Sequence, residues 1–283
     1  MGCNRITQSP VEKALLSLQA IDPKWRIDIG IPENSPQWIH GADFTQASNG
    51  PFRALLDRIG NRLRTSDRKT IAASFALRFG WAASAAIGPC LVHRCVPDIS
   101  LANVSLRFRE DTFFERTAIY SPAGSVLSND PGAGHPLTRS VSVEDPSSLL
   151  LLLRSELQSQ ASPVVDAMCK WSGFSKKGAW GMLTSSWAAL FVDVYERLGS
   201  QTDALPVMQA FFKGADEVAS MQPRMHPVTL GSVTHLYQRR ASCCRYYLLP
   251  QGSLCASCPL VSQEERLVRN LEWMKKQLTR ELR

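Results

Sequence analysis

Four cysteines near the C-terminus have the types and spacing to hold a metal centre. Cys243, Cys244, Cys255 and Cys258 form a Cys-Cys-x10-Cys-x2-Cys pattern, so half of the chain's eight cysteines fall within sixteen positions. The other four, Cys3, Cys90, Cys95 and Cys169, are scattered. Three chemistries use such a cluster: disulfide pairing, a structural zinc site, or an iron–sulfur centre. Disulfides need an oxidising compartment. Behind Met1-Gly2-Cys3-Asn4-Arg5 there is no apolar run, so the start of the chain does not read as a signal peptide. Ile6 stands where a myristoylation signal wants Ser or Thr. The longest nearly uncharged stretch, Trp81 to Val92, is short for a bilayer span and is interrupted by Gly88-Pro89. The expectation is a cytoplasmic protein with reduced thiols.

Zinc usually takes two Cys-x2-Cys or Cys-x2-His knuckles, and only Cys255-x2-Cys258 has that form. Adjacent cysteines are awkward ligands for one small tetrahedral ion, because neighbouring side chains on an extended backbone point apart. A two-iron cluster is larger and offers four terminal positions on two metals. Soft thiolates suit both metals, so ligand type alone does not choose. Spacing favours [2Fe–2S] and leaves zinc as the alternative.

The surrounding residues sharpen this. The stretch Arg239-Arg240-Ala241-Ser242-Cys243-Cys244-Arg245-Tyr246-Tyr247-Leu248-Leu249-Pro250, followed by Cys255-Ala256-Ser257-Cys258-Pro259-Leu260, resembles the C-terminal motif of FhuF-type ferric-siderophore reductases. That resemblance implies a [2Fe–2S] cluster on Cys243, Cys244, Cys255 and Cys258. It implies an oxidoreductase that converts a Fe(III)-siderophore to Fe(II) one electron at a time. Fe(II) is softer and less charged than Fe(III), so hard oxygen ligands release it. The redox chemistry would belong to the cluster, with no catalytic residue needed beyond it. No nicotinamide or flavin signature is visible, so electrons would come from an external donor such as a ferredoxin-like protein. The substrate partner would be a ferric siderophore, anionic or neutral.

Arg239, Arg240 and Arg245 bracket the first two ligands. They could offset the charge of a reduced cluster, raise its potential or attract an anionic ferric complex. The plainer reading is surface arginines paired with carboxylates. His235, eight residues before the motif, could donate a hydrogen bond or replace a thiolate, but four cysteines already complete the site and it reads as a strand residue; His226 and His135 lack ligand-spaced partners. Cys90 and Cys95 flank an expected helix end and read as buried thiols. Cys169, Trp171, Trp180 and Trp187 lie on helical pattern and read as core. The loop Asp130-Pro131-Gly132-Ala133-Gly134-His135 lacks the Gly-Lys-Ser/Thr ending of a phosphate loop and reads as a turn.

The net charge is +7, with 44% hydrophobic and 20% charged residues, an ordinary globular composition with a basic balance. That balance suits acidic partners, including a donor protein, an anionic ligand or peripheral association with a membrane surface. Lys and Arg do not cluster or interleave with aromatics, so nucleic-acid binding is not expected.

The pattern predicts an α+β protein in three parts: a smaller mixed α/β region over 1–143, a helical region over 144–238, and the [2Fe–2S] motif with a terminal helix over 239–283. Strands are expected at 25–31, 104–108, 113–120 and 233–237, the second and third forming a hairpin around Arg109–Thr112. Helices are expected at 51–63, from Asp67 toward Ile87 with Gly88-Pro89 as its stop, at 176–198 and at 203–212. Asp145-Pro146 and Ser162-Pro163 read as two helix starts. Ser262-x-x-Glu265 is a capping box opening the last helix, and Leu267, Leu271, Met274, Leu278 and Leu282 form a stripe expected to dock on the body of the protein. Two other functions fit parts of this pattern: a non-catalytic zinc-clipped binding protein, and a relative of siderophore-biosynthesis enzymes.

Overall fold

The computed structural model describes residues 8–21, 25, 27–142, 148–214 and 216–281. Asp145-Pro146, Cys3 and Leu282 lie outside them. The chain separates into two compact units, each assembled from two stretches: 1–44 with 82–162, and 45–81 with 163–283. The sequence reading draws contiguous regions; these units are discontinuous. Helix makes up 54% and strand 16%, with the strands gathered into small sheets, so the α+β expectation holds.

In the first unit, helix α1 (Pro10–Ile21) starts where Ser9 Oγ accepts the Glu12 N–H, and it buries Val11, Ala14, Leu15 and Leu18 on one face. One sheet orders its strands β1 (Asp28–Ile29), β5 (Phe114–Ile119), β4 (Val104–Phe108) and β2 (Trp38–His40). A second orders β3 (Cys95–Pro97), β6 (Gly124–Leu127) and β7 (Thr138–Val141). The expected β4–β5 hairpin is present, turning through Thr112 at φ 67°. The strand expected over 25–31 shrinks to two residues pairing parallel with β5. The Asp130–His135 loop is a turn, with the Gly132 N–H on Asp130 Oδ1 at 2.7 Å.

Three helix boundaries differ from expectation, all at prolines or glycines. The helix from Asp67 ends at Phe79 (α3, Arg68–Phe79), passes through a 3-10 turn at Gly80–Ala83, and α4 (Ser84–His93) carries Pro89 inside it. Segment 68–93 is long and apolar enough by composition to cross a membrane, and 72% of its apolar window is buried. Ser162-Pro163 does not start a helix, because α5 (Ser148–Ser172) runs through it. Pro163 removes one backbone bond, but Leu153, Leu157, Ala161, Val164, Val165 and Met168 form a buried stripe on both sides of it, and that burial outweighs the loss.

The second unit positions the cysteines. It contains α2 (Gly50–Leu63), α3, α6 (Lys176–Leu198), α7 (Ala204–Phe211), α8 (Glu217–Ser220), the antiparallel ribbon β8 (Arg224–Leu230) and β9 (Val233–Arg239), and α9 (Gln263–Glu281). Helix α6 is its axis. Ser175 caps it by accepting the Gly178 N–H, and Gly199 ends it at φ 116°. Trp180 and Trp187 are buried along it, edge to face at 6.2 Å, and Phe211 of α7 lies edge-on to Trp187. Trp171 departs from the core reading. It is partly exposed, with Arg53 and Arg68 over its ring.

Helix α9 packs on β8 by part of the expected stripe, with Met274 buried and Leu271 and Leu278 half-buried, while Leu267 turns outward and two polar residues turn in. Arg266, Asn270 and Met274 are buried, while Leu267 is 45% and Trp273 53% exposed. The capping box is half formed. Ser262 Oγ accepts the Glu265 N–H, whereas the Glu265 carboxylate pairs with Arg269.

Candidate metal centre

The cysteine loop leaves β9 at Arg239 and is fastened first to α6. Ser242 Oγ donates to the Gly178 carbonyl at 2.7 Å, and the Ala241 N–H donates to Ser185 Oγ at 3.4 Å. Ser185 Oγ in turn donates to the Gly181 carbonyl. Gly178, Gly181 and Ser185 are spaced to share one helix face. Glycine at 181 is what lets the loop seat there: a Cβ would lie 2.7 Å from both Ser242 Cβ and Ser242 Oγ.

After the paired cysteines the chain turns through Arg245 in the left-handed region, φ 60°. The Arg245 guanidinium reaches Asp67 Oδ2 at 3.1 Å and Thr70 Oγ1 at 3.3 Å. Asp67 is also the N-cap of α3, accepting the Lys69 and Thr70 N–H groups. Burial pushes its carboxyl pKa up, but the Thr70 hydroxyl and Arg245 outweigh that and hold it below the usual value. A Cβ at Gly252 would overlap the Tyr246 carbonyl, so only glycine closes the next turn. Arg269 then holds the Leu254 carbonyl, and the Cys258 N–H donates to the Cys255 carbonyl at 3.0 Å.

The two halves of the motif meet through Arg240. Its backbone N–H donates to the Ser257 carbonyl at 2.9 Å, its Nε to Ser257 Oγ at 2.8 Å and its Nη2 to Cys255 Sγ at 2.9 Å. Cys243 Sγ accepts the Arg245 N–H at 3.4 Å. Cys258 is 4% exposed and the other three thiols are half-buried. Burial raises the Cys258 pKa, and Cys255, Cys243 and Cys244 add to it through their charges. Among the described residues, no three His, Cys, Asp or Glu side chains converge as one metal ion would require. A donor set of four thiols, two of them facing N–H groups, fits an iron–sulfur cluster, whose cationic irons relieve the repulsion between thiolates.

The three arginines have different surroundings. Arg240 donates to Cys255 Sγ, Arg245 pairs with Asp67, and Arg239 Nη2 holds the Pro259 carbonyl at 3.0 Å. Tyr246, Tyr247, Leu248 and Leu260 are exposed around the loop, leaving an apolar rim. His226 faces Asn270, with Nε2 and Nδ2 2.9 Å apart, and His235 lies beside the Tyr237 ring. Cys90 and Cys95 are buried, as expected, and Cys169 is half-buried.

Sequence reasoning missed the residues that carry the loop: Gly178, Gly181 and Ser185 on α6, Asp67 and Thr70 at the start of α3, and Arg266 on α9. Arg266 donates to the Cys258 carbonyl at 3.1 Å and to that of Val261. Small residues three and four apart in a helix otherwise rich in tryptophan were the one available signal.

Residues 240–260 match the FhuF 2Fe-2S C-terminal domain, a match confined to the loop just described. The cofactor of that domain is a [2Fe–2S] cluster. No curated protein matches the chain.

Proposed function

We propose that the chain is a ferric-siderophore reductase, taking one electron from a separate ferredoxin-like donor in the cytoplasm and passing it to a Fe(III) chelate. The observation that carries this reading is the coincidence of the 240–260 match with a four-thiol loop in which Arg240 donates to Cys255 Sγ. A bound [2Fe–2S] cluster supplies one-electron transfer, the stoichiometry of Fe(III) to Fe(II). Cys243, Cys244, Cys255 and Cys258 would hold it. Arg240 places positive charge and a donor at one of these sulfurs, which favours the more negative, reduced form. Ser242 fastened to α6, Arg245 to the cap of α3, and Arg266 reaching in from α9 keep the loop in place. The exposed rim of Tyr246, Tyr247, Leu248 and Leu260 leaves the loop open to donor and chelate.

The test begins with protein purified without oxygen. Two irons and two sulfides, visible absorption, and a spin-half EPR signal after dithionite reduction are expected, followed by turnover of ferric siderophore. Cys244→Ser should abolish both the absorption and the turnover. Intact reduction in that variant would refute the reading. One zinc and a colourless protein that fails iron reconstitution would make the loop a structural clip.

A further inference from the structure

Behind the Cys258 side of the loop, β8, the end of β9 and the first turn of α9 enclose a cavity of about 570 Å³. Three arginines line it, Arg224, Arg239 and Arg266, and no acidic residue does. Arg266 is 6% exposed, and its Nε, like that of Arg239, is buried without a hydrogen-bond partner. Each guanidinium is anchored at Nη2 to loop carbonyls, Arg239 to Pro259 and Arg266 to Cys258 and Val261, and neither donates to a sulfur. Among the described residues neither they nor Arg224 pairs with a carboxylate. Burial and the nearby Arg239 push the Arg266 pKa down, offset in part by Cys258. Burial and Arg266 likewise lower that of His226.

Arg224 is exposed and Arg239 half-buried, but the guanidinium of Arg266 is buried with a free Nε–H and no counter-charge, an arrangement that is unfavourable unless an anion completes it. Bidentate oxyanions match the guanidinium fork best. The cavity falls within the usual volume of small-ligand sites, and the N-terminal end of α9 faces it with Ser262 and Gln263. We propose that this cavity docks the oxyanion groups of an anionic ferric chelate, so that the chain favours negatively charged, carboxylate-type ferric complexes over neutral trihydroxamates. The proposal rests on the reductase reading and names its substrate class. Arg266 ties the cavity wall to the Cys258 carbonyl, so a chelate held there sits next to a cluster ligand.

Binding is tested without redox chemistry by using gallium(III), which has the charge of Fe(III) and is not reduced. Titration calorimetry on the anaerobically purified, iron-loaded protein would compare gallium(III) citrate, the gallium complex of a neutral trihydroxamate, and inorganic phosphate. Gallium citrate should bind most tightly and weaken with added salt. Arg224→Gln should weaken it by roughly tenfold or more, the loss of one charge-assisted contact, while Arg224→Lys keeps most of the affinity and both variants keep the visible absorption. Equal binding of the citrate and hydroxamate complexes, unchanged in Arg224→Gln, would overturn the proposal. So would phosphate binding as tightly as gallium citrate, which would make the cavity a small-anion site. If gallium citrate binds as expected but the loaded protein reduces no ferric complex, the reductase reading fails and the cavity assignment stands. If ferric citrate and ferric hydroxamate are reduced alike and the binding shows no preference, the reverse holds.

Discussion

Gly181→Ala is the sharpest test of how the cysteine loop is seated. In an ordinary helix interior this change stabilises by about 1 kcal/mol, because alanine loses less backbone entropy. Here the sign should reverse. The added methyl would stand 2.7 Å from Ser242 Cβ, Ser242 Oγ and Met221 Cε, against a comfortable carbon–carbon separation of about 3.5–4.0 Å. Met221 ends in a flexible thioether methyl and can move. Ser242 Cβ is fixed to the loop backbone, so the loop must retreat by about 1 Å. That retreat strains the packing by about 1–3 kcal/mol and weakens the Ser242–Gly178 bond, at 2.7 Å, by roughly another 1 kcal/mol. Set against the helical gain, the net loss is about 1–3 kcal/mol, a fall in Tm of several degrees at about 2–4 °C per kcal/mol. Iron content after anaerobic purification should fall with it, because Ser242 adjoins Cys243. Ser242→Gly removes the contact from the other side, so the double variant Gly181→Ala/Ser242→Gly should recover most of the Tm lost by the single one. The assays are thermal unfolding followed by circular dichroism and iron per protein by visible absorption. A Gly181→Ala protein with raised Tm and full iron content would refute the seating argument.

Further outcomes follow from the Asp67 and Arg240 contacts and from the burial of two thiols outside the loop. Asp67→Asn keeps a capping side chain on α3 but removes the ion pair with Arg245, so it should cost about 0.2–1 kcal/mol at neutral pH, and Asp67→Ala about 1 kcal/mol more. Because the folded pKa of Asp67 lies below its ordinary 3.8, this stabilisation is complete above that value and lost as pH falls through the lower folded value; denaturation of the wild type and Asp67→Asn at pH 7 and in strong acid should show the gap closing. Arg240→Gln removes a charged donor 2.9 Å from Cys255 Sγ, and the midpoint potential in a redox titration should fall by roughly 60 mV, the equivalent of tenfold for a one-electron couple; an unmoved potential would show that Arg240 does not tune the site. Burial pushes the Cys90 thiol up to about 12 and raises Cys95 as well, so both should resist alkylation at pH 8 until the protein unfolds, and mass spectrometry of labelled peptides checks this. Since these folded values lie above the ordinary 9.0, their contribution to stability holds below pH 9 and declines above it, and Cys95→Ala should flatten that decline.

The cysteine pattern that the 2Fe-2S domain match covers was legible because its information is local. Two adjacent cysteines and a Cys-x2-Cys pair lie within one short stretch, and their spacing speaks to cluster geometry without reference to the fold. The support of that stretch was not legible, because it is made at long range. Ser242 meets Gly178 across 64 positions and Arg245 meets Asp67 across 178. The terminal helix shows how periodicity misleads when a buried face does polar work. Met274 of the expected stripe is buried, but Leu267 is exposed, and Arg266 and Asn270 also face inward because one must satisfy the Cys258 and Val261 carbonyls and the other meets His226. Strand β8 escaped notice for a related reason. Pro227 within it reads as a breaker, although a two-stranded ribbon leaves edges where a missing N–H costs nothing.

These contacts share a property that bears on how the centre works. The loop is fastened almost wholly through groups other than its sulfurs: the Ser242 hydroxyl, the Arg245 guanidinium, and the carbonyls of Leu254, Cys258, Pro259 and Val261. Backbone carbonyls do not change charge when an electron arrives, and Arg245 is balanced by Asp67 rather than by a ligand. The fastening is therefore indifferent to oxidation state. Arg240 is the exception, since among the described residues it is the one that brings a side-chain cation to a sulfur of the motif, Cys255 Sγ. A loop held this way need not rearrange between oxidised and reduced forms, which keeps the reorganisation around an electron transfer small. It also separates two jobs in the sequence. Substitutions at Gly181, Ser242 or Asp67 should change whether the centre assembles, and those at Arg240 should change the potential at which it works. A variant of Gly181 that assembled fully but shifted the potential as far as Arg240→Gln would break that separation.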